Sequence, residues 1–223
     1  MRQLALSLAP RPLPRLGNFV PGRNAELLAM LSALAAGDRS ERMVYIWGGH
    51  GCGKTHLLRA MCAAFSSRGV PVAMLSGVEE VPDFRPAEVV LADDVDQLSD
   101  EGQGRLFNIY NAQRDGSGVL IAAGTVPSAR LPLREDLKTR LGWGLVYEVH
   151  GLSDEEKVAA MIEHAHARGI NLGREVIEYL FRRQARDLPA LLALLEALDL
   201  YSLENKRAIT IPLVRELLSD SGV

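Results

Sequence analysis

The fold of this 223-residue chain is decided by the stretch Gly48-Gly49-His50-Gly51-Cys52-Gly53-Lys54-Thr55. The apolar run 43–47 precedes it, and a helix-like segment begins at His56. A strand, a glycine-rich turn, Lys-Thr and a helix in this order are typical of a phosphate-binding loop. The glycines allow successive backbone N–H groups to face an anion, and the helix adds the positive end of its dipole. The stretch therefore predicts binding of a nucleoside triphosphate or diphosphate.

Two side chains of this loop are expected to contact the ligand. Lys54 should reach the β- and γ-phosphates, and the hydroxyl of Thr55 should hold Mg²⁺. An ordinary glycine-rich turn is the alternative, but it explains neither the Lys-Thr pair nor the flanking strand and helix. The expected cofactors are ADP or ATP together with Mg²⁺.

The second informative stretch is Val89-Val90-Leu91-Ala92-Asp93-Asp94. Its apolar, β-branched run predicts a buried parallel strand whose C-terminal end enters the nucleotide site. Asp93 is expected to hold Mg²⁺ through water, and Asp94 to orient or polarise the attacking water. A strand followed by an Asp-rich turn is the simpler interpretation, but the phosphate loop about forty residues upstream favours the functional one.

A further buried strand is predicted at 119–123, and it ends at Gly124-Thr125. The hydroxyl of Thr125 could donate a hydrogen bond to a γ-phosphate or contact the attacking water. It could equally cap the next segment. The sequence does not decide between these two roles.

The order of the predicted elements indicates an α/β fold. Strands alternate with helices up to about residue 150, and only helices follow, beginning at the capping box Ser153-Asp154-Glu155-Glu156. This order predicts a parallel sheet flanked by helices and then a small all-helical domain. The predicted divisions are an extended tail at 1–17, a nucleotide-binding domain at 18–150 and the helical domain at 151–223. Asn24 is expected to cap the first helix.

Composition restricts the location and the partners of the protein. Hydrophobic residues make up 48% of the chain, and the formal net charge is −3. Strong binding to DNA needs a cluster of Lys and Arg, and no such run is present, so a direct, strong contact with DNA is not expected. Cys52 and Cys62 lack metal-ligand spacing, and thiols beside a nucleotide site are typical of the cytoplasm. Neither a membrane span nor a secretion signal is predicted.

The N-terminal segment Gln3-Leu4-Ala5-Leu6-Ser7-Leu8 stands out because its leucines alternate. In an extended chain Leu4, Leu6 and Leu8 lie on one side. One interpretation is a frayed tail or an edge strand. The other is a short linear motif that places alternate side chains in pockets on a partner.

Taken together, these stretches resemble an AAA+ ATPase, and more narrowly the DnaA-like branch of that family. The resemblance covers about residues 18–220. It rests on the following stretches in the expected order: the phosphate loop 48–55, the strand 89–94, the box Thr139-Arg140-Leu141-Gly142-Trp143-Gly144 and the helix start Ala185-Arg186-Asp187-Leu188. The box that ends in Gly-Trp-Gly is the most specific of them, because generic P-loop proteins lack it.

The resemblance implies a role for each matching position. The nucleotide contacts fall on the phosphate loop and its flank, on the residues that border the adenine, and on a lid arginine: Gly48, Gly49, His50, Gly51, Cys52, Gly53, Lys54, Thr55 and His56, then Phe19, Val20 and Gly22, then Arg186. Asp93 and Asp94 match the acidic pair, and Thr125 matches the sensor position at a strand end. Many AAA+ enzymes have Glu where this chain has Asp94, so weak or no ATPase activity of its own is expected. Arg140 matches the arginine finger, which reaches out of its own molecule to a neighbour's nucleotide.

Two features make the chain look like a regulator of DnaA rather than DnaA itself. The family's C-terminal helix-turn-helix DNA-binding domain is not found after the helical domain. In addition, Gln3, Leu4, Leu6 and Leu8 resemble the motif by which bacterial proteins dock on the DNA polymerase sliding clamp (the beta subunit). The resemblance therefore implies a negative regulator of replication initiation that holds ADP and docks on the DNA-loaded clamp. It would stimulate ATP hydrolysis by DnaA through Arg140, and a homodimer is also compatible with it.

Two alternatives stay open. The first is an autonomous AAA+ ATPase, such as a helicase loader of the DnaC or IstB type, which would bind single-stranded DNA. The second is a nucleotide-locked adaptor that tethers DnaA near the clamp and supplies no catalytic group. A small-molecule P-loop kinase would explain neither the helical domain nor the Gly-Trp-Gly box.

Overall fold

The computed structural model describes residues 13–77, 89–170, 172–183, 188–205 and 207–220. The chain divides into two compact units, Pro14–Gly151 and Leu152–Val223. The expected clamp-binding residues Gln3, Leu4, Leu6 and Leu8 and the expected lid contact Arg186 lie outside the described residues. None of the helices in the described ranges combines the length and the hydropathy that a membrane crossing needs.

The first unit is built on a parallel sheet of five strands. The strands are β1 (Met43–Trp47), β2 (Val72–Ser76), β3 (Val89–Asp93), β4 (Val119–Gly124) and β5 (Leu145–Glu148). Their order across the sheet is β2-β3-β4-β1-β5. Strands β3 and β4 are buried along their whole length, which explains their continuous apolar sequences. Because β4 lies between β1 and β3, the carboxyl ends of these three strands meet at one edge of the sheet.

Helices cover both faces of this sheet. Helices α1 (Ala25–Ala36) and α2 (Lys54–Ser66) pack on one face, and α3 (Asp100–Asp115) and α4 (Glu135–Leu141) pack on the other. Neighbouring residues of a strand point to opposite faces, so Leu91 belongs to the first core and Val90 to the second. The predicted α/β class with a helix-flanked parallel sheet is confirmed.

Two local expectations differ from the structure. Strand β2 begins at Val72 rather than near residue 69, because Gly69 (φ +73°) turns the chain after α2 and Pro71 has no N–H to donate. Asn24 precedes α1, but its side chain does not cap the helix. Its amide instead donates to the carbonyl of His150 (2.9 Å) and its side-chain oxygen accepts from the N–H of His150 (2.8 Å). The expected capping role of Asn24 is therefore wrong, and its side chain ties the two ends of the unit together.

The second unit is entirely helical in its described residues. It contains α5 (Asp154–Ala167), α6 (Arg174–Arg183), α7 (Leu188–Asn205) and α8 (Ile211–Asp220). The predicted capping box begins α5: the Ser153 hydroxyl accepts from the N–H of Glu156 (3.2 Å), and the Glu156 carboxylate accepts from the N–H of Ser153 (2.7 Å). The four helices share a core of their own, which includes Met161, Leu180, Leu195 and Leu213.

Candidate functional site

The loop between β1 and α2 has the shape that a phosphate group needs. Gly51 and Gly53 have φ angles of +74° and +107°, which residues with a side chain rarely adopt. A Cβ on Gly49 or Gly51 would meet no atom within 4 Å, so the outer side of the loop is open. The N–H of Gly48 donates to the carbonyl of Gly124 (3.3 Å) and ties the loop to the end of β4. A curved loop that is open on its outer side suits an anion.

Lys54 begins α2, and its ammonium group lies within this loop. The residue is only 7% exposed, and Nζ donates to the carbonyl oxygens of Gly48 (2.6 Å) and Gly49 (3.0 Å). These acceptors are needed because an unpaired buried charge is costly. Thr55 lies in the first turn of α2 and is exposed, so its hydroxyl is accessible. The ammonium and the hydroxyl fit a phosphate and its magnesium ion, respectively.

The ring of Phe19 borders the same loop. A Cβ on Gly53 would lie 2.6 Å from Cε2 of Phe19, so only glycine leaves room for the ring. The rings of Phe19 and His56 pack with their centroids 5.6 Å apart, and Nε2 of His56 lies 3.2 Å from the carbonyl oxygen of Arg15. Burial lowers the pKa of His56, and the contact with Arg15 opposes this shift. The neutral His56 ring therefore holds the segment before α1 against the start of α2.

The other expected nucleotide contacts have different environments. His50 is exposed, whereas Cys52 is buried with its Sγ 3.8 Å from Nζ of Lys54. Val20 is half-buried, and Gly22, with φ +47°, turns the chain toward α1. All of these residues belong to the first unit, and they remain predicted contacts.

Asp93 and Asp94 follow one another at the end of β3, as predicted, but their environments differ. Asp93 is 8% exposed, and its Oδ1 accepts from the N–H of Asp94 (3.1 Å). Asp94 is half-buried and has φ +48°, the only positive φ of a non-glycine residue in the described chain. Burial and the nearby carboxylates of Asp93 and Asp96 raise the pKa of Asp94, and Lys54 and His50 oppose this shift. Strained backbone and a raised pKa are typical of functional carboxylates.

Asp96, which the sequence did not single out, engages Thr125. Its carboxylate accepts hydrogen bonds from the N–H (3.3 Å) and from the hydroxyl (3.1 Å) of Thr125. The hydroxyl thus donates to a side chain beside Asp94, and its role toward a phosphate or a water stays a prediction. Asp96 is the third acidic residue within four positions at the end of β3. This short acidic run was the one sequence signal that could have identified it.

We expect Asp94→Asn to raise the melting temperature of the nucleotide-free protein at pH 7 by roughly 1–3 °C. Asn tolerates the left-handed backbone, and it removes a charge that the folded protein disfavours. Because the folded-state pKa of Asp94 is raised, its ionisation costs stability above that pKa. The cost disappears below the ordinary value of 3.8, where the group is protonated in both states. Scanning calorimetry of both proteins from pH 7 downwards measures whether the gain fades with acid.

The control for this prediction is Asp94→Ala. It removes the same charge but places a residue at φ +48° that rarely adopts this conformation, so its gain should be smaller or absent. A melting temperature of Asp94→Asn at or below that of the unaltered protein at pH 7 would contradict the prediction.

Arg140 lies in the last turn of α4, where aromatic rings surround its guanidinium. Its Cζ is 4.5 Å from the ring centroid of Trp143, 5.5 Å from that of Phe107 and 6.0 Å from that of Tyr110. Its Nη1 is buried and has no hydrogen-bond partner among the described residues. The Arg140 side chain is therefore half-buried against its own domain, and its role as an arginine finger stays a prediction.

Arg140 and the phosphate loop lie at opposite ends of the sheet. Helix α4 returns the chain from the carboxyl end of β4 to the start of β5. A Cβ on Gly144 would collide with the carbonyl oxygen of Met43, so this end of the box packs on the first residue of β1. The phosphate loop follows Trp47 at the other end of β1, four residues or about 13 Å away. The end of the box therefore lies at the amino end of β1, whereas Lys54 follows its carboxyl end.

Comparisons with known proteins agree with this architecture. Residues 154–218 match the family model described as the lid domain of Hda. Domain III of the Thermotoga maritima replication initiation protein DnaA is 20% identical, with a TM-score of 0.71, over 94% of this chain and 98% of that chain. AMPPCP-bound DnaA from Aquifex aeolicus is 23% identical, with a TM-score of 0.70, over 89% of this chain and 68% of that chain. The Thermotoga maritima RuvB Holliday junction branch migration motor is 19% identical, with a TM-score of 0.64, over 96% of this chain and 75% of that chain.

The family model and the similar structures match different parts of the chain. The family model matches the helical unit, whereas the similar structures extend over both units. At these identities the structures show the fold, which this chain shares with DnaA and RuvB. The sheet order and the phosphate loop agree with this shared fold, and the helical unit matches the lid domain of Hda.

Proposed function

We propose that this protein is a negative regulator of replication initiation that stimulates ATP hydrolysis by DnaA. The observation that carries the proposal is the position of Arg140, at the end of the sheet away from its own phosphate loop. A guanidinium on helix α4 would serve a phosphate of another molecule rather than the nucleotide of its own loop. The match of the lid to Hda, the regulatory inactivator of DnaA, points to DnaA as that molecule.

The protein's own phosphate loop binds ADP or ATP in this proposal. The open loop and the buried ammonium of Lys54 support it, and two of the similar DnaA structures are bound to AMPPCP. Thr55 and Asp93 would hold Mg²⁺, which would neutralise charge on the phosphates. Arg186 of the lid would contact the same nucleotide. ADP is the proposed resting ligand.

The chain's own hydrolysis is proposed to be weak or absent. Many AAA+ enzymes have Glu at the position of Asp94, and the shorter side chain of Asp94 reaches less far toward an attacking water. The hydroxyl of Thr125 is engaged by Asp96 rather than being free for a phosphate. These features favour retention of the bound nucleotide rather than its hydrolysis.

Arg140 would act on the γ-phosphate bound to DnaA. An arginine stabilises the negative charge that spreads over the transferred phosphoryl group, and such a residue contributes about 10³–10⁵ in rate. The attacking water and its proton would be handled by residues of DnaA. DnaA would then be left with ADP and unable to initiate. The position of Arg140 also suits a second copy of this chain, and a homodimer would make hydrolysis depend on the protein's own concentration.

We expect removal of residues 1–9 to abolish the stimulation that depends on the DNA-loaded sliding clamp, while binding of ADP to the protein stays unchanged. The tail would dock Gln3, Leu4, Leu6 and Leu8 in pockets on the clamp, and docking raises the local concentration of the protein near DnaA. The measurement is hydrolysis of labelled ATP by DnaA, with and without clamp on DNA.

The full-length double variant Gln3→Ala, Leu6→Ala is the matched control, because it keeps the length of the tail. It should behave like the shortened chain in hydrolysis and in a pull-down with the clamp. Full clamp-dependent stimulation by the shortened chain would contradict the role of the tail. If the intact chain failed to stimulate DnaA at all, the proposed function itself would be wrong.

A further inference from the structure

Trp143 is an exposed aromatic side chain on a tightly packed backbone. It is 60% exposed, which is unusual for so large an apolar side chain. A Cβ on Gly144 would collide with Met43, and one on Gly142 would lie 3.1 Å from Oγ of Ser128. The backbone on both sides of Trp143 therefore packs against the domain while the ring stays outside the core. Neither the fold nor the phosphate loop accounts for this arrangement.

The ring of Trp143 instead lies against Arg140. Its centroid is the nearest of the three that surround the guanidinium, at 4.5 Å from Cζ. Phe107 and Tyr110 form the other side, and Tyr110 is only 3% exposed, so helix α3 holds that side rigidly. Contacts between a guanidinium and ring faces are attractive because the faces carry negative charge density.

We propose that Trp143 is a positioning residue for Arg140, which holds the guanidinium against its ring and leaves the N–H groups other than the buried Nη1 for the phosphate of a partner. This inference rests on the proposed function of Arg140. It identifies the side chain that keeps the arginine ready to act.

The surroundings of the Arg140 guanidinium support this role of Trp143. Among the described residues, no carboxylate forms an ion pair with Arg140, and Nη1 has no acceptor. An Asp or Glu at the place of Trp143 would neutralise the cation and occupy the donors that a phosphate needs. A stacked guanidinium keeps its planar set of donors, so the rings restrain the arginine without using them.

Restraint of the Arg140 side chain should raise the rate at which it promotes hydrolysis of the partner's ATP. A free arginine side chain loses its rotamer freedom when it is fixed on a phosphate, whereas a stacked one has already lost most of it. Trp143 is also the exposed member of the aromatic group, so a partner that docks here would meet its ring. Loss of the ring should therefore leave Arg140 more accessible and less effective.

Accessibility of Arg140 is measured first, in the full-length chain. Phenylglyoxal modifies exposed guanidinium groups, and peptide mass spectrometry gives the rate at Arg140, normalised to the exposed Arg130. Trp143→Leu should raise the Arg140 rate by about threefold or more, and Trp143→Phe should leave it close to that of the unaltered protein. Because Trp143 is exposed, both variants should keep their melting temperature. An unchanged Arg140 rate in Trp143→Leu would overturn the proposal.

The second measurement is stimulation of ATP hydrolysis by DnaA in the presence of DNA-loaded clamp. Trp143→Leu should lower it by about tenfold, and Trp143→Phe should stay within about twofold, since the aromatic face is retained. Equal losses in the two variants would overturn the positioning role. So would increased stimulation by Trp143→Leu, which would make the ring a lock on Arg140.

Arg140→Ala, assayed in parallel, separates this inference from the proposed function. If Arg140→Ala abolishes stimulation and Trp143→Leu does not lower it, only the positioning role is overturned. If Arg140→Ala stimulates fully, the proposed function fails and the inference fails with it.

Discussion

Replacing Arg140 by alanine should reduce the stimulation of ATP hydrolysis by DnaA by about 10³-fold or more, to the rate of DnaA alone. The reason is the loss of the guanidinium that would stabilise charge on the transferred phosphoryl group. The measurement is single-turnover hydrolysis of labelled ATP bound to DnaA, with clamp on DNA and with saturating amounts of the variant. Binding of ADP to the variant itself should not change, because Arg140 lies at the other end of the sheet from Lys54.

Two further variants sharpen this prediction. Arg140→Lys keeps the charge but lacks the planar fork of donors and stacks less well, so it should remain strongly impaired. Arg105→Ala, on helix α3, removes an arginine whose partner is the exposed Glu101 at 2.6 Å, and it should stimulate normally. Full stimulation by Arg140→Ala would favour an adaptor that tethers DnaA without supplying a catalytic group.

Replacing Lys54 by methionine should weaken the binding of ADP by about 100-fold or more. The change removes charge-assisted hydrogen bonds to phosphate, each of which contributes about 1.5–3 kcal/mol. Methionine retains most of the apolar stem, but the carbonyl oxygens of Gly48 and Gly49 lose their donor. Titration calorimetry with ADP and Mg²⁺ measures the dissociation constant.

The control is Lys157→Met on helix α5, which removes a lysine at 3.9 Å from Asp154 in the helical unit. It should bind ADP as the unaltered protein does. Melting curves without nucleotide distinguish lost affinity from lost folding, since only the former leaves a cooperative transition at the usual temperature. Unchanged affinity in Lys54→Met would show that the nucleotide is not held at this loop.

Much of the fold was predictable because its signals are local. The glycine-rich stretch at 48–55 lies between a strand and a helix, and the apolar run at 89–93 is buried along its whole length. The capping box at Ser153 uses residues three apart and begins α5 as predicted. In each case neighbouring residues determine the structure, so the pattern could be identified without knowledge of the rest of the chain.

The contacts that were not predicted join residues far apart in sequence. Thr125 and Asp96 are 29 residues apart, and the alternatives for the Thr125 hydroxyl did not include a carboxylate from another strand end. The aromatic surroundings of Arg140 depend on where α3 places Phe107 and Tyr110, and no spacing in the sequence indicated them. Propensity and spacing contain no information on such packing. The clamp motif and Arg186 lie outside the described residues, so their predicted roles stay predictions.

The exchange of hydrogen bonds between Asn24 and His150 has a consequence for biosynthesis. These residues are 126 positions apart, so the α/β unit cannot close until nearly all of it has left the ribosome. The helices that follow form a separate core, which joins residues from α5 to α8. During translation, the segment before the first helix therefore gains its partner only when the last residues of the sheet domain have emerged.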